Sequence, residues 1–418
     1  MRTHTERMAR SAMDRTQSRA EAENAPTGRQ GTADARPGGR HLVEVPVPQV
    51  LTDEGGKTPV VVRRSGQQPI RVYAERPKEI LSRNDFGAHG VHYTLNPYRG
   101  CTMGCVYCSA RPKHEFLREG PAPAPHWNAG ADFDSRIIIR PDAPQLLHEA
   151  LSKNHGKKLR GKVIHISGAT DPYQPLEEAL RITRGCLEVC LQHGNPVAIQ
   201  TKSLLILRDL DLLVALQRGP GVHVAVSLSS LDTARAAALE PGAPAPSERI
   251  ALIEKLAAAR IPVGISIAPA ILGLTDTDIV RMLTAAKDAG ASTAFYLRLR
   301  LPGLIEPALV RRVQVSLPDR ARKVVAGLDG YGAAPVLSGR ANGRAHRAHA
   351  DDPMEQIFCF TADRLGLAFQ RHAPWPSTVA GMEHALADSE AGEPAVDLGD
   401  NKTAASRPRT PVAQLSLF

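Results

Sequence analysis

A chain of 418 residues with 42% hydrophobic residues has material for a sizeable core, and 4% aromatics make that core aliphatic. No apolar run approaches the roughly 18 residues of a membrane span, and the amino terminus lacks a secretory apolar block; no membrane association and a cytoplasmic location are expected. A net charge of +9 and a pI of about 9.4 are compatible with a polyanionic partner, because phosphate neutralisation dominates nucleic-acid affinity. The Ala, Arg, Gly and Pro bias could give the same charge without one.

Residues 1–40 hold eight arginines, five acidic residues and hardly any large aliphatics. Such a segment cannot bury enough apolar surface to offset chain entropy and reads as disordered, either a solvated tail or a basic arm on nucleic acid. Residues 41–85 contain short β-like runs at 43–50 and 59–64, broken by Gly and Pro, and read as a small capping element. From 86 to 302 the pattern alternates. Strands are expected at 91–95, 163–167, 196–201, 222–228, 262–268 and 292–301, where apolar runs end at Gly or Pro as buried parallel strands do. Helices are expected at 143–154, 177–193, 209–217, 247–259 and 276–289, with Ser247 and Asp276 as N-caps. Six βα units make a parallel barrel or a doubly wound sheet, and periodicity does not choose. Residues 303–375 read as mixed helical, with candidates at 311–317, 318–326 and 353–367, and 376–418 as a second disordered tail.

The chemistry concentrates in Asn96-Pro97-Tyr98-Arg99-Gly100-Cys101-Thr102-Met103-Gly104-Cys105-Val106-Tyr107-Cys108. Cys101, Cys105 and Cys108 are spaced C-x3-C-x2-C, so one short loop can turn three sulfurs onto one centre. Thiolates suit soft metals and iron–sulfur clusters. Three ligands leave one metal position open, as catalytic metal sites do. Zinc is the alternative, with His92 or His114 as fourth ligand; a disulfide fits poorly, since three cysteines cannot pair off and cytosolic thiols stay reduced. Cys186 and Cys190 sit i, i+4 beside Leu187 and Leu191 and read as core packing.

Three strand ends carry polar groups. Gly168-Ala169-Thr170-Asp171 follows the second strand, although Asp171 before Pro172 is also a common turn signal. Lys202 follows the third, and a lysine at a buried strand end is costly unless an anion meets it. Ser227 lies late in the fourth.

The cysteine run extended to Phe116, together with Gly168-Ala-Thr-Asp-Pro-Tyr-Gln-Pro175, resembles the radical S-adenosylmethionine superfamily, in its branch related to spore photoproduct lyase. The resemblance implies an α/β fold, the incomplete (β/α)6 TIM-like barrel, with chemistry at the C-terminal strand ends. It implies a [4Fe-4S] cluster on the three cysteines whose open iron chelates S-adenosylmethionine and cleaves it to a 5′-deoxyadenosyl radical. The Tyr107 ring would pack beside the cluster, and Gly168, Thr170 and Asp171 would meet the methionine amino group. Lys202 and Ser227 would meet the cofactor carboxylate, and Pro269-Ala270-Ile271-Leu272-Gly273-Leu274 would pack on adenine. A flavodoxin or ferredoxin would supply the electron. The resemblance favours a lyase-type enzyme of DNA repair or modification; a radical enzyme acting on a metabolite or peptide, and a non-enzymatic metal-containing nucleic-acid adaptor, remain as alternatives. One departure stands out. The lyases carry a hydrogen-donating cysteine where Gly168 falls, so no catalytic residue is named here. The last residues, Gln414, Leu415, Ser416, Leu417 and Phe418, resemble the short peptide with which bacterial repair proteins dock on the DNA sliding clamp. A free tail offering Leu, Leu and Phe can fill an apolar groove.

Overall fold

Alternating apolar runs and amphipathic helices build a seven-stranded sheet in the computed structural model of the chain. The structure describes residues 43–45, 70–83, 93–114, 117, 127–128, 130, 132–152, 159–166, 168–299, 305–329 and 352–369. Both expected tails, the run 59–64, His92 and the C-terminal pentapeptide lie outside the described residues.

In chain order the strands are β1 (Val43–Val45), β2 (Arg71–Ala74), β3 (Leu81–Arg83), β4 (Tyr93–Leu95), β5 (Tyr98–Arg99), β6 (Arg136–Ile139), β7 (Ile164–Ile166), β8 (Val197–Thr201), β9 (Val222–Ser227), β10 (Val263–Ala270) and β11 (Thr293–Arg298). The large sheet runs β11-β10-β9-β8-β7-β4-β3. Every neighbouring pair from β4 to β11 is parallel, and β3 adds antiparallel at the β4 edge. Six parallel strands in sequential order are the arrangement expected of the incomplete barrel. All six residues of β9 are buried. Val222, Val224 and Val226 join the main core, whereas Ala225 meets Val163 and Ala198 in a separate small cluster. Each such aliphatic side chain stabilises the fold by about 1.5–3 kcal/mol relative to leaving it exposed.

A second sheet, β1-β2-β6-β5, was not expected from the sequence. β2 pairs parallel with β6, and β5 pairs antiparallel with it, so segments far apart in the chain share this layer. The cysteine loop starts where β5 ends. Helices from the carboxyl half complete the packing. Glu306–Ser316 and Pro318–Asp329 supply Leu309, Val313, Val324 and Leu328 to a cluster that includes Val106 and Tyr107. Pro353–Arg364 supplies Met354, Phe358 and Ala362 to the main core.

Several boundaries differ from expectation, each for a local reason. The single helix expected over 177–193 is two, Glu177–Leu180 and Ile182–His193, broken at Arg181 with φ of 51°. The break lets the Thr183 and Arg184 N–H groups donate to the Glu177 carboxylate at 2.9 and 3.2 Å. The helix expected to be capped by Ser247 starts at Pro246, where a proline suits the first turn, and the Glu248 carboxylate accepts from Ala245 N at 2.7 Å. Asp276 is no cap. Thr275 holds a turn there through Ile271, and Ile279–Asp288 begins after Asp278. Ser203 caps a 3-10 segment, Leu204–Asp209, ahead of the helix Leu210–Arg218. With Pro307 in its first turn, the helix expected at 311 begins at Glu306.

Candidate cluster and cofactor site

Gly100 makes the bend from β5 into the cysteine loop. Its φ is +76°, and a Cβ there would lie 2.8 Å from Arg136 O and 2.9 Å from Phe133 O. Short backbone bonds follow: Gly104 N to Cys101 O at 3.4 Å, Cys108 N to Cys105 O at 3.3 Å and Arg111 N to Cys108 O at 3.2 Å. The Arg111 guanidinium clamps the far side, donating to Cys105 O at 2.9 Å and to both Asp134 oxygens at 2.7 and 2.8 Å. All three cysteines are free thiols. They pack with Met103, Ala110, Phe133 and Ala243.

That donor set fits an iron–sulfur cluster. The thiols are near enough to raise one another's pKa, Cys101 through Cys105 and Cys105 through Cys108, although burial is the larger cause and pushes Cys105 up to about 12. A buried thiol resists ionisation until a metal charge compensates it, and coordination then deprotonates it outright. Of the two fourth ligands weighed for zinc, His92 lies outside the described residues and His114 is engaged elsewhere. The His114 ring packs against Phe133 and Trp127 with Nε2 3.2 Å from Arg136 O.

The strand ends converge on this loop. Burial raises the pKa of all three thiols; the charge of Lys202 opposes the rise at Cys105 and Cys108, and that of Asp171 adds to it at Cys101. Asp171 accepts from Thr201 Oγ1 at 2.7 Å, Lys202 N at 2.8 Å and Tyr173 N at 2.9 Å. Its carboxylate thus fixes the ends of β7 and β8 against each other. Burial raises its pKa against those hydrogen bonds. Lys202 is half-buried; loss of water alone would lower its pKa, but the negative neighbours Cys105 and Glu240 outweigh it and the pKa is raised. Lys202 is therefore held as a cation.

The remaining expected residues fall in two groups. Tyr107 is buried beside the loop, packed with Ile271 and Leu274 of the apolar stretch singled out above. Ser227 Oγ accepts from Gln200 Nε2 at 3.0 Å, and Gln200 also reaches Ser266 at 3.2 Å. Thr170 instead turns its hydroxyl to Tyr98 O at 3.4 Å, toward the root of the loop. Gly168 has φ of +103° with His165 3.9 Å away from where a Cβ would sit. Its neighbour Ala169 is fixed by Asn96 Oδ1 at 3.0 Å. Cys186 and Cys190 are fully buried in the main core, as their spacing suggested.

Three residues that brace the loop and the strand ends were not singled out in the sequence. Gln174 bridges the loop through Thr102 N at 3.4 Å and Gly100 O at 3.5 Å. Glu240 and Arg249, 1% exposed each, form an ion pair at 2.7 Å, and Arg249 Nη1 also donates to Ser227 O at 2.9 Å. The only sequence signal was polar residues on otherwise apolar faces.

Residues 95–286 match the sequence model of the Radical SAM superfamily. An uncharacterized protein of Mycobacterium tuberculosis is 34% identical over 212 residues, covering 50% of this chain and 59% of that protein. Another, of Methanocaldococcus jannaschii, is 28% identical over 211 residues, covering 50% and 71%. The chain thus spans less than two thirds of the mycobacterial relative. A solved structure of spore photoproduct lyase complexed with dinucleoside spore photoproduct superposes with a TM-score of 0.48 at 14% identity, covering 70% of this chain and 79% of that one. A mutant of that enzyme with bound AdoMet and the same dinucleoside gives 0.47 at 13% identity, covering 71% and 80%. The superfamily uses a [4Fe-4S] cluster and S-adenosylmethionine. Among the described residues no helix is long and apolar enough to cross a membrane.

Proposed function

We propose, from the match of residues 95–286 to the radical SAM superfamily, that the chain is a lyase-type radical enzyme that repairs or modifies DNA in the cytoplasm. The observation that carries the radical chemistry is three free thiols on one loop, with the half-buried Lys202 and the fixed Asp171 carboxylate beside them. When bound, the cluster supplies the electron that cleaves S-adenosylmethionine, drawn from a donor such as flavodoxin or ferredoxin. Cys101, Cys105 and Cys108 hold the iron, with Arg111 and Gln174 fixing the loop backbone. Tyr107, with Ile271 and Leu274, walls one side and excludes water. Lys202 takes the cofactor carboxylate, and Asp171 holds the Lys202 backbone in place. Thr170, Gly168 and Ser227 complete the polar surroundings of the cofactor. Gly168 carries no thiol, so the hydrogen donor that the lyases place there has no counterpart at this position.

DNA as substrate is supported by the motif resemblance, by the net charge of +9 and by the clamp-like peptide Gln414–Phe418, which would tether the enzyme to a sliding clamp. Anaerobic reconstitution tests the proposal directly. The protein should bind four irons and release 5′-deoxyadenosine, faster with DNA present, and Cys105→Ala should lose both iron and cleavage. Full cluster content in Cys105→Ala would sink the ligand assignment. Cleavage that ignores DNA at low salt would move the substrate to a small molecule.

A further inference from the structure

Glu240 joins the cysteine loop to two strand ends. It follows the helix Thr233–Leu239 and is 1% exposed. Its Oε1 accepts a hydrogen bond from the Tyr107 hydroxyl and stands 3.9 Å from Lys202 Nζ. Its Oε2 pairs with Arg249 Nη1 at 2.7 Å. The backbone on either side is bolted to the loop, through Val106 N to Leu239 O at 3.0 Å and Gly242 N to Met103 O at 2.9 Å. Even Gly242 is dictated by this contact, since a Cβ there would lie 2.2 Å from Thr102 O. The carboxylate therefore cannot move without moving the cysteines.

The charge arrangement is incomplete by itself. Two cations, Lys202 and Arg249, face this one carboxylate. Arg249 Nε and Nη2 are buried with no hydrogen-bond partner among the described residues. Buried charge is costly unless paired. At 3.9 Å a carboxylate still stabilises an ammonium electrostatically but occupies none of its N–H donors. The close Arg249 contact draws the carboxylate the other way and keeps it from collapsing onto Lys202.

We propose that Glu240 is a positioning residue: it keeps Lys202 aimed, with its donors unspent, so that the ammonium can take the carboxylate of S-adenosylmethionine, while the same carboxylate anchors Tyr107 against the loop. This rests on the cofactor reading above. Glu240 touches neither cofactor nor substrate; it acts through Lys202.

The test measures binding of S-adenosylmethionine, and of its decarboxylated analogue, to reconstituted protein, alongside iron content. Glu240→Gln should keep full iron yet bind S-adenosylmethionine about tenfold more weakly, with the decarboxylated analogue unaffected. Glu240→Gln combined with Lys202→Met should bind no more weakly than Lys202→Met alone. Additive losses, or iron falling in step with affinity, would overturn the positioning role. Should Glu240→Gln yield no folded protein, Glu240→Asp keeps the charge but shortens its reach, and an intermediate loss is expected; wild-type affinity would overturn the inference. No binding by the wild-type protein would overturn the cofactor reading and this inference with it, whereas wild-type binding left intact by Glu240→Gln overturns the inference alone.

Discussion

Two ionic networks are each built around a buried carboxylate, Glu177 in one and Glu240 in the other, and they are satisfied differently. Around Glu177, which is fully buried, every arm is met. Its carboxylate accepts from the Tyr98 hydroxyl, Thr183 N at 2.9 Å, Arg184 N at 3.2 Å and Arg208 Nη2 at 2.9 Å. Arg208 continues to Asp209 at 2.8 and 2.9 Å, and Asp209 to Arg184 at 3.0 Å. Around Glu240 donors are left over, and Lys202 stands off at 3.9 Å. A closed network pins helices to the barrel. An open one, facing thiols, is built to receive something. The difference separates two roles that burial and charge alone would confuse.

Breaking the closed network should have the largest effect. Glu177→Ala strands Arg208 and Asp209 without their shared partner and leaves two helix N–H groups unmet. Removing one member of a buried pair costs about 3–5 kcal/mol, so the urea midpoint should fall steeply. Protein that still folds should retain its iron. A loss under about 1 kcal/mol would mean that water replaces the carboxylate, and the network would not be closed at all.

The open network should respond the other way. Lys202→Met keeps most of the stem's packing and removes only the ammonium. Stability should change little, because Glu240 keeps Arg249. Affinity for S-adenosylmethionine should drop about tenfold, or roughly 1.4 kcal/mol. A titration of cofactor binding beside a denaturation curve checks both halves, and a stability loss without an affinity loss would merge the two networks into one structural class.

The open network also marks where sequence reading stops. Strand runs such as 222–228 and the cysteine spacing were legible because period and spacing are local properties. So was Lys202, as a cation at the end of a buried strand. Glu240 was not, because a Glu after a helix is ordinary until Arg249 is seen to bury beside it. β6 was missed for a related reason. Four residues carry little periodic signal, and the partners of β6 lie at 71–74 and 98–99 in the chain. The break at Arg181 likewise follows from a carboxylate four residues earlier claiming two N–H groups, a tertiary demand that overrides helical propensity.

A third way to accommodate a buried titratable group is to give up its charge, and it predicts the smallest effect. His223 in β9 is 3% exposed, with Nε2 2.8 Å from Thr293 Oγ1. Burial lowers its pKa from 6.5 to about 4. The folded state therefore holds this imidazole neutral at a pH where the unfolded chain would protonate it. Because the unfolded state then binds more protons, stability rises with pH across this window. The contribution is fully present above 6.5 and is lost progressively as pH falls toward 4. Between pH 7.5 and pH 5.5 one such imidazole should account for about 1 kcal/mol of lost stability. His165, shifted by burial to about 4 as well, adds a second share. His223→Gln keeps a polar group for Thr293 but cannot titrate. Urea unfolding of that variant should show a smaller stability loss between the two pH values, by about that 1 kcal/mol. An unchanged slope would mean that His223 is charged in the fold, and a buried cation would then have to be counted on the open side of the comparison.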